Sequence, residues 1–484
     1  MGNSTLKEKT AKGLFWGGMS NGVQQLLSLF FGIFLARLLT PSDYGLVGML
    51  SIFSALAAIL QDSGFTVALI NKEKVRHEDY NAVFWFNIIV AIACYVILFF
   101  CAPLIARFFH KPELVLISRW SFLAFLISSF GTSHSAFRTK KLMIREKAIS
   151  NILALAVSGT VGVILAFNGY AYWAIVIQTL ILVTILTVCY WVFSGWRPTL
   201  PCSFAPISGM FKFGSKILIT NVADSVGTYL LSIVFGRYYT EREVGFFNQA
   251  NKWNTMGYGI IKGMVGSVAQ PVLVEVKEER ERLLRVFRKM VRFTAFFSFP
   301  AMLGLAFIAP EFITIAITDK WAESAKLMQI LCVGGAFIPL SHLFSNLVLS
   351  REQSSRYMWS TIALVIVQIA ITIAVYPKGI TAMVIAYSLI YILWLFVWFL
   401  LARKSIPYSL WELISDITPF LGISLLAIAG VYFATRGIEN MYWLLAAKVV
   451  LVASIYVGIM WLFQAVTFKE CVNFVRNKLN RSSS

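Results

Sequence analysis

Residues 12–45 read KGLFWGGMSNGVQQLLSLFFGIFLARLLTPSDYG, and residues 212–245 read KFGSKILITNVADSVGTYLLSIVFGRYYTEREVG. At a fixed offset of 200, Lys12, Asn21, Ile33, Arg37, Thr40 and Gly45 recur as Lys212, Asn221, Ile233, Arg237, Thr240 and Gly245. Ser20 and Ser28 have Thr220 and Thr228 as hydroxyl counterparts. Both stretches hold apolar runs long enough to cross the roughly 30 Å of bilayer hydrocarbon. Such runs begin again about every thirty residues. A multi-spanning chain whose second half echoes its first has the organisation of a transporter.

Composition agrees. Apolar residues make up 58% of the chain and charged residues 13%. Soluble domains carry about twice that share of charge. At roughly 20 apolar residues per span, the sequence predicts fourteen transmembrane helices, from 12–36 through 441–466. Span seven covers 214–236, span eight 244–270, and the final pair 415–435 and 441–466. The expected fold is an all-α integral membrane protein of two six-helix lobes and a C-terminal pair. Pro198, Pro201 and Pro206 mark the break between lobes. The expected boundaries are an N-lobe at 1–197, a cytoplasmic linker at 198–213 and a C-lobe at 214–404. Spans thirteen and fourteen follow, with a basic cytoplasmic tail, at 405–484.

The net charge is +19. In a soluble protein that would raise nucleic acid as a partner. Here topology accounts for it. With the N-terminus inside, most of the 42 basic residues fall in cytoplasmic loops, including Arg138, Lys140, Lys141, Arg145 and Lys147. That bias is the positive-inside rule, and it predicts two cytoplasmic termini and no nucleic-acid role. Residues 274–293 read either as an amphipathic basic helix on the inner membrane face or as a span extended into the cytosol.

Enzymatic signals are lacking. His77, His110, His134 and His342 show no metal-ligand spacing, and no nucleophile–base order or acidic loop pair is present. The six cysteines show no CxxC spacing and read as small packing residues. The expected outer connections are all short, which disfavours a membrane polymerase or glycosyltransferase. The expectation is no enzyme, no metal and no cofactor.

Polar residues within spans carry the functional reading. Asn21, Gln24, Gln25 and Ser28 share one face of span one, and Asn221, Asp224, Ser225 and Thr228 share the matching face of span seven. Span two offers Ser51, Ser54 and Asp62. Span eight offers Asn248, Asn251, Lys252 and Lys262. No water inside the hydrocarbon satisfies such groups, and a charge at mid-bilayer costs about 2.5–3.5 kcal/mol on insertion scales. These residues therefore predict a wet cavity between the first helix pairs of the two lobes, with helix-to-helix hydrogen bonding as the bland alternative. Asp62 and Lys262 are equivalent under the offset and read as a candidate gate; with Asp224 they are also candidates for ion coupling.

One further stretch is distinctive. Ala36-Arg37-Leu38-Leu39-Thr40-Pro41-Ser42-Asp43-Tyr44-Gly45 closes span one, and Asp62-Ser63-Gly64-Phe65, Val83-Phe84-Trp85-Phe86-Asn87 and Pro103-Leu104-Ile105-Ala106 follow it. This pattern resembles Wzx-type polysaccharide flippases, in particular their WzxC-like branch, within the multidrug/oligosaccharidyl-lipid/polysaccharide exporter superfamily. The resemblance implies a MATE-like fold and alternating access. It implies movement of undecaprenyl-pyrophosphate-linked oligosaccharide from the inner to the outer leaflet of a bacterial cytoplasmic membrane, for lipopolysaccharide, capsule or exopolysaccharide. Implied partners are the lipid-linked glycan, membrane lipids and the polysaccharide polymerase machinery. Coupling to membrane potential, H+ or Na+ stays open. The runner-up is a cation-coupled multidrug exporter of the same superfamily, which predicts an acidic aromatic cavity; Lys252 and Lys262 favour an anionic cargo.

Overall fold

The computed structural model describes residues 6–62, 69, 72, 74–200 and 203–462, with side chains except at 6–20, 61–62 and 208–217. Regular structure among the described residues is entirely helical. Eleven segments are long and apolar enough to cross a membrane, or twelve when a bent pair counts as one span. Twelve of the fourteen expected spans are thus met. The other two, 12–36 and 244–270, are also continuous helices: α1 (Leu6–Leu38) and α10 (Glu241–Glu275), of 33 and 35 residues. At 1.5 Å per residue each is about 50 Å long. Neither stands among the segments that pass on apolar composition, so hydropathy alone does not reach fourteen.

The chain divides into two compact units, Met1–Gly245 and Phe246–Ser484. The first holds α1, α2 (Pro41–Met49), α3 (Ser51–Asp62), α4 (His77–Phe109), α5 (Leu114–Ser129) and α6 (Thr132–Lys140). It also holds α7 (Ile144–Phe167), α8 (Tyr172–Ser194), α9 (Ala205–Tyr238) and the first residues of α10. Helix α1 lies along α7, α7 along α8, and α4 along α5, while α9 packs on α3 and α4. An aromatic cluster of Tyr80, Phe84, Trp191 and Trp196 fills one end. There the chain after α8 is pinned to the start of α4. Trp196 Nε1 donates to His77 Nδ1 (3.0 Å), and Asn81 exchanges two hydrogen bonds with the Thr199 backbone (2.8 and 2.9 Å).

The second unit continues α10 and adds α11 (Arg280–Ile317), α12 (Ala322–Gly335), α13 (Ile338–Ser350) and α14 (Ser354–Val375). The helices α15 (Ile380–Arg403), α16 (Leu410–Ala434) and α17 (Met441–Leu462) complete it. Helix α11 is its axis, packed on α12, α16 and α17. It runs unbroken from Arg280, so of the two readings of 274–293 the extended span holds for that part. Two of its cations hold α16: Arg288 makes a two-pronged contact with Asp416 (2.8 and 3.1 Å) and bonds Glu412 (2.6 Å). Arg292 also bonds Asp416 (2.6 Å), and Tyr408 donates to it (3.0 Å). This cluster moors α16, and with it the final pair, to α11.

Each unit repeats features that the 200-residue offset does not show. The fourth span of the first unit breaks between α5 and α6 at Phe130–Gly131, with a bend of 42°. In the second unit α12 and α13 break at Ala336–Phe337. The next turns also match. Leu142 (φ 55) and Glu352 (φ 60) are left-handed, and the following amides close equivalent rings, Met143 N to Arg138 O (3.0 Å) and Gln353 N to Val348 O (3.3 Å). Arg138 and Val348 are therefore structural counterparts.

Candidate functional site

Two matched helix starts build one end of the first unit. Thr40 caps α2: its N–H and hydroxyl both donate to Asp43 Oδ2 (2.8 and 2.6 Å), and Asp43 N returns a bond to the hydroxyl (3.3 Å). Thr240 does the same at α10 with Glu243, at 2.9, 2.9 and 3.3 Å. Such boxes satisfy amides that the first helical turn leaves open. The two starts then interlock. A Cβ on Gly45 would overlap the carbonyl of Glu241, and a Cβ on Gly245 would overlap the carbonyl of Pro41. Residues 41 and 45 thus meet residues 241 and 245 in a reciprocal, pseudo-two-fold crossing that leaves no room for a Cβ at either glycine. Polar contacts surround it. Lys111 pairs with Glu241 (2.5 Å), and Arg237 donates to the Phe108 carbonyl (2.6 Å) and to His110 Nε2.

Of the residues expected to line a cavity, Asn21 and Gln24 come together in the first unit. Both line a cavity of about 290 Å³ between α1 and the α6–α8 layer, which also receives Arg138, Lys147 and Tyr190. Gln25 is exposed and turned off that wall, as are Asn221 and Asp224 on α9. The Asp224 carbonyl accepts from Thr228 (2.8 Å). A second cavity of about 420 Å³ is lined by Ser51 and Ser54 of span two, with Ser121, Ser128, Thr179 and Tyr229. Asp62 ends α3, but its side chain lies outside the described residues, as does the expected tail from 463 onward.

In the second unit Asn248, Asn251 and Lys252 are half-buried on α10, and Lys262 is exposed. Deeper on α10 lie two polar side chains that spacing did not single out. Gln249 has neither amide atom bonded, and Asn254 Oδ1 is likewise buried without a partner. Nearly every residue from Asn248 to Thr255 is polar, so periodicity marks no one face. A third cavity, about 410 Å³ and almost wholly apolar, opens between α11 and α17 at Pro300, Gly304, Val452 and Tyr456. Beside it Lys448 pairs with Glu311 at 2.7 Å, both about one-tenth exposed, and lies over the Phe307 ring.

The histidines do structural work. His134 Nδ1 meets the Ser194 hydroxyl at 2.7 Å with Trp191 against its ring, and no group of three potential metal ligands occurs among the described residues.

Bilayer-length helices in two units that repeat each other's breaks and turns, with polar cavities enclosed among them, make the build of a membrane transporter. The chain belongs to the polysaccharide biosynthesis protein family, whose model matches residues 34–326. It is 23% identical to the teichuronic acid biosynthesis protein TuaB of Bacillus subtilis (strain 168), over 84% of this chain and 83% of that one. It is 22% identical to the lipopolysaccharide biosynthesis protein WzxC of Escherichia coli (strain K12), over 72% and 71%. Its fold is shared with the lipid II flippase MurJ in an inward closed conformation, at TM-score 0.77 and 15% identity, over 94% and 99%.

Proposed function

We propose that this chain is a flippase for surface-polysaccharide precursors, carrying a polyprenyl-diphosphate-linked oligosaccharide from the inner to the outer leaflet by alternating access. Family membership across residues 34–326 is the observation that carries the reading. The site chemistry supports it. A diphosphate with a glycan head cannot enter hydrocarbon bare, because each polar group would lose its hydration without replacement. Asn21, Gln24, Asn221, Asn248 and Asn251 offer amides to sugar hydroxyls, and Lys252 and Lys262 offer positive charge to phosphate. The apolar cavity at Pro300 and Gly304 suits a prenyl chain. Chemistry is not demanded of the protein; only a path and a gate are.

The interlocked starts of α2 and α10 serve as that gate on the outer side, with both termini inside a bacterial cytoplasmic membrane. Outward movement of the anion follows an inside-negative potential, worth about 2.3 kcal/mol per charge per 100 mV. Asp62 and Asp224 are the residues available for H+ or Na+ coupling, and the polysaccharide polymerase is the downstream partner. The family match favours this reading over the drug-exporter alternative.

The test is genetic and leaflet-resolved. Deleting the gene should abolish surface polysaccharide while the lipid-linked precursor accumulates, shielded from an enzyme added outside the membrane. Normal outer-leaflet precursor in the deletion strain would refute the reading.

A further inference from the structure

We propose that the cavity at the α6–α7 turn is a binding site for a phosphate anion, with Arg138 as its anchor. Arg138 is 2% exposed, yet its Nε and Nη1 are buried with no hydrogen-bond partner. Its third nitrogen, Nη2, reaches the Ser150 hydroxyl at 3.3 Å, and the guanidinium rests on the Tyr190 ring at 4.8 Å. Among the described residues it forms no ion pair; the carboxylate of Glu146 works on it only at longer range. A buried guanidinium with idle donors is costly unless something with charge and acceptors meets it. The cavity beside it is the place for that group, at about 290 Å³.

The rest of the wall has matching chemistry. Lys147 brings a second cation, and Asn21, Gln24 and Asn151 bring amides. Helix α7 starts on the same wall at Ile144 with no side-chain cap, so its dipole also favours an anion, against the one carboxylate of that turn, Glu146. The second unit supplies an internal control. At the equivalent turn the counterpart of Arg138 is Val348, fully buried, and that of Lys147 is Tyr357. The fold therefore completes this turn without either cation, and their presence in one unit alone points to a ligand. Five N–H donors in a rigid fork suit two phosphate oxygens better than any single counter-charge.

Two sources carry such a phosphate: the diphosphate of the prenyl-linked cargo, and the headgroup of a membrane phospholipid. Only the first rests on the proposed function. The test uses the full-length protein in neutral detergent with three separate probes: polyprenyl diphosphate, phosphatidylglycerol and inorganic pyrophosphate. Binding is read by native mass spectrometry and by ligand-induced thermal shift. Arg138→Gln should weaken binding of at least one probe by about tenfold to a hundredfold, the range for losing charge-assisted hydrogen bonds. Lys147→Gln, at an exposed position that the fold does not need, should weaken the same probe by a smaller factor, and Arg138→Lys should restore part of the loss. Loss confined to phosphatidylglycerol upholds the anion site and assigns it to membrane lipid. Equal binding of all three probes by wild type, Arg138→Gln and Lys147→Gln overturns the proposal, whatever the outcome for transport. If Arg138→Gln does not fold, an unchanged Lys147→Gln alone overturns it.

Discussion

Gly45 and Gly245 lie 200 residues apart and perform one task twice: each lets its helix press against the backbone of the other's first turn, Gly45 on Glu241 and Gly245 on Pro41. Because the crossing is reciprocal, its disruption should be symmetric. Gly45→Ala and Gly245→Ala each place a methyl group inside a backbone carbonyl, which no rotamer change relieves. Each should open the gate and cut transport at least tenfold. A cysteine at Ser42, in a background without native cysteines, should react faster with a membrane-impermeant thiol reagent in both variants. Unequal responses would contradict the pseudo-two-fold lock.

The Lys111–Glu241 pair at the same place should matter less. Both side chains are partly exposed, and such pairs contribute about 1 kcal/mol or less. The hydrogen bond from Lys111 holds the Glu241 carboxyl below its ordinary 4.5. A carboxylate with a lowered value adds stability above its unfolded pKa and loses it as pH falls through the folded one. Ser42→Cys reactivity, taken relative to a fully exposed reference cysteine so that the thiol's own titration cancels, should therefore be flat from pH 8 to 5.5 and rise only below about 4.5. A step near neutrality would assign the lock to another group.

In the second unit, Asp416 is fully buried between Arg288 and Arg292. Asp416→Ala takes its carboxylate from Arg292 and leaves Arg288 with Glu412 alone; because both guanidiniums are partly exposed, the cost stays below the roughly 3–5 kcal/mol of a fully buried pair. The variant should lose the mooring of α16 and α17, seen as rapid proteolysis at residues 404–409 and a lowered Tm. Exchanging Arg288 and Asp416 together for Met and Leu should recover much of that Tm, since a packed apolar pair replaces the ions.

Lys448 and Glu311 form a buried pair beside an apolar cavity, which gives a sharper contrast. Lys448→Met leaves a carboxylate in an apolar wall and should reduce the folded yield severalfold in membrane extracts. Adding Glu311→Met should restore it. Failure of the double variant would mean that the ions themselves serve transport.

Much of this was legible in the residues. The offset between 12–45 and 212–245 anticipates the paired caps of Thr40 and Thr240 and the paired glycines, because a tight crossing demands specific residue types. The equivalence of Leu142 and Glu352 was not legible: a left-handed turn held by its own hydrogen bonds needs no glycine, so nothing in the letters announces it. The broken fourth spans did leave marks that a count of apolar runs passes over: Thr132, Ser133, His134 and Ser135 follow Phe130–Gly131, and Gly334, Gly335 and Pro339 flank Ala336–Phe337. Helical spacing put Asn21 and Gln24 on one wall, where the structure has them. Arg138 escaped because a cation near a loop reads as topology; only burial and idle donors distinguish it. Gln249 and Asn254 escaped within a run too polar to show a face.

The central claim is that this protein moves a lipid-linked diphosphate glycan across a bilayer, and reconstitution tests it most directly. Purified protein in sealed liposomes, loaded with a fluorescent polyprenyl-diphosphate oligosaccharide, is followed by a quencher that reaches one leaflet only. The account predicts protein-dependent exchange between leaflets, faster under an inside-negative potential and abolished by Gly45→Ala. Transfer no faster than in protein-free liposomes, with and without potential and with H+ or Na+ gradients, would contradict it.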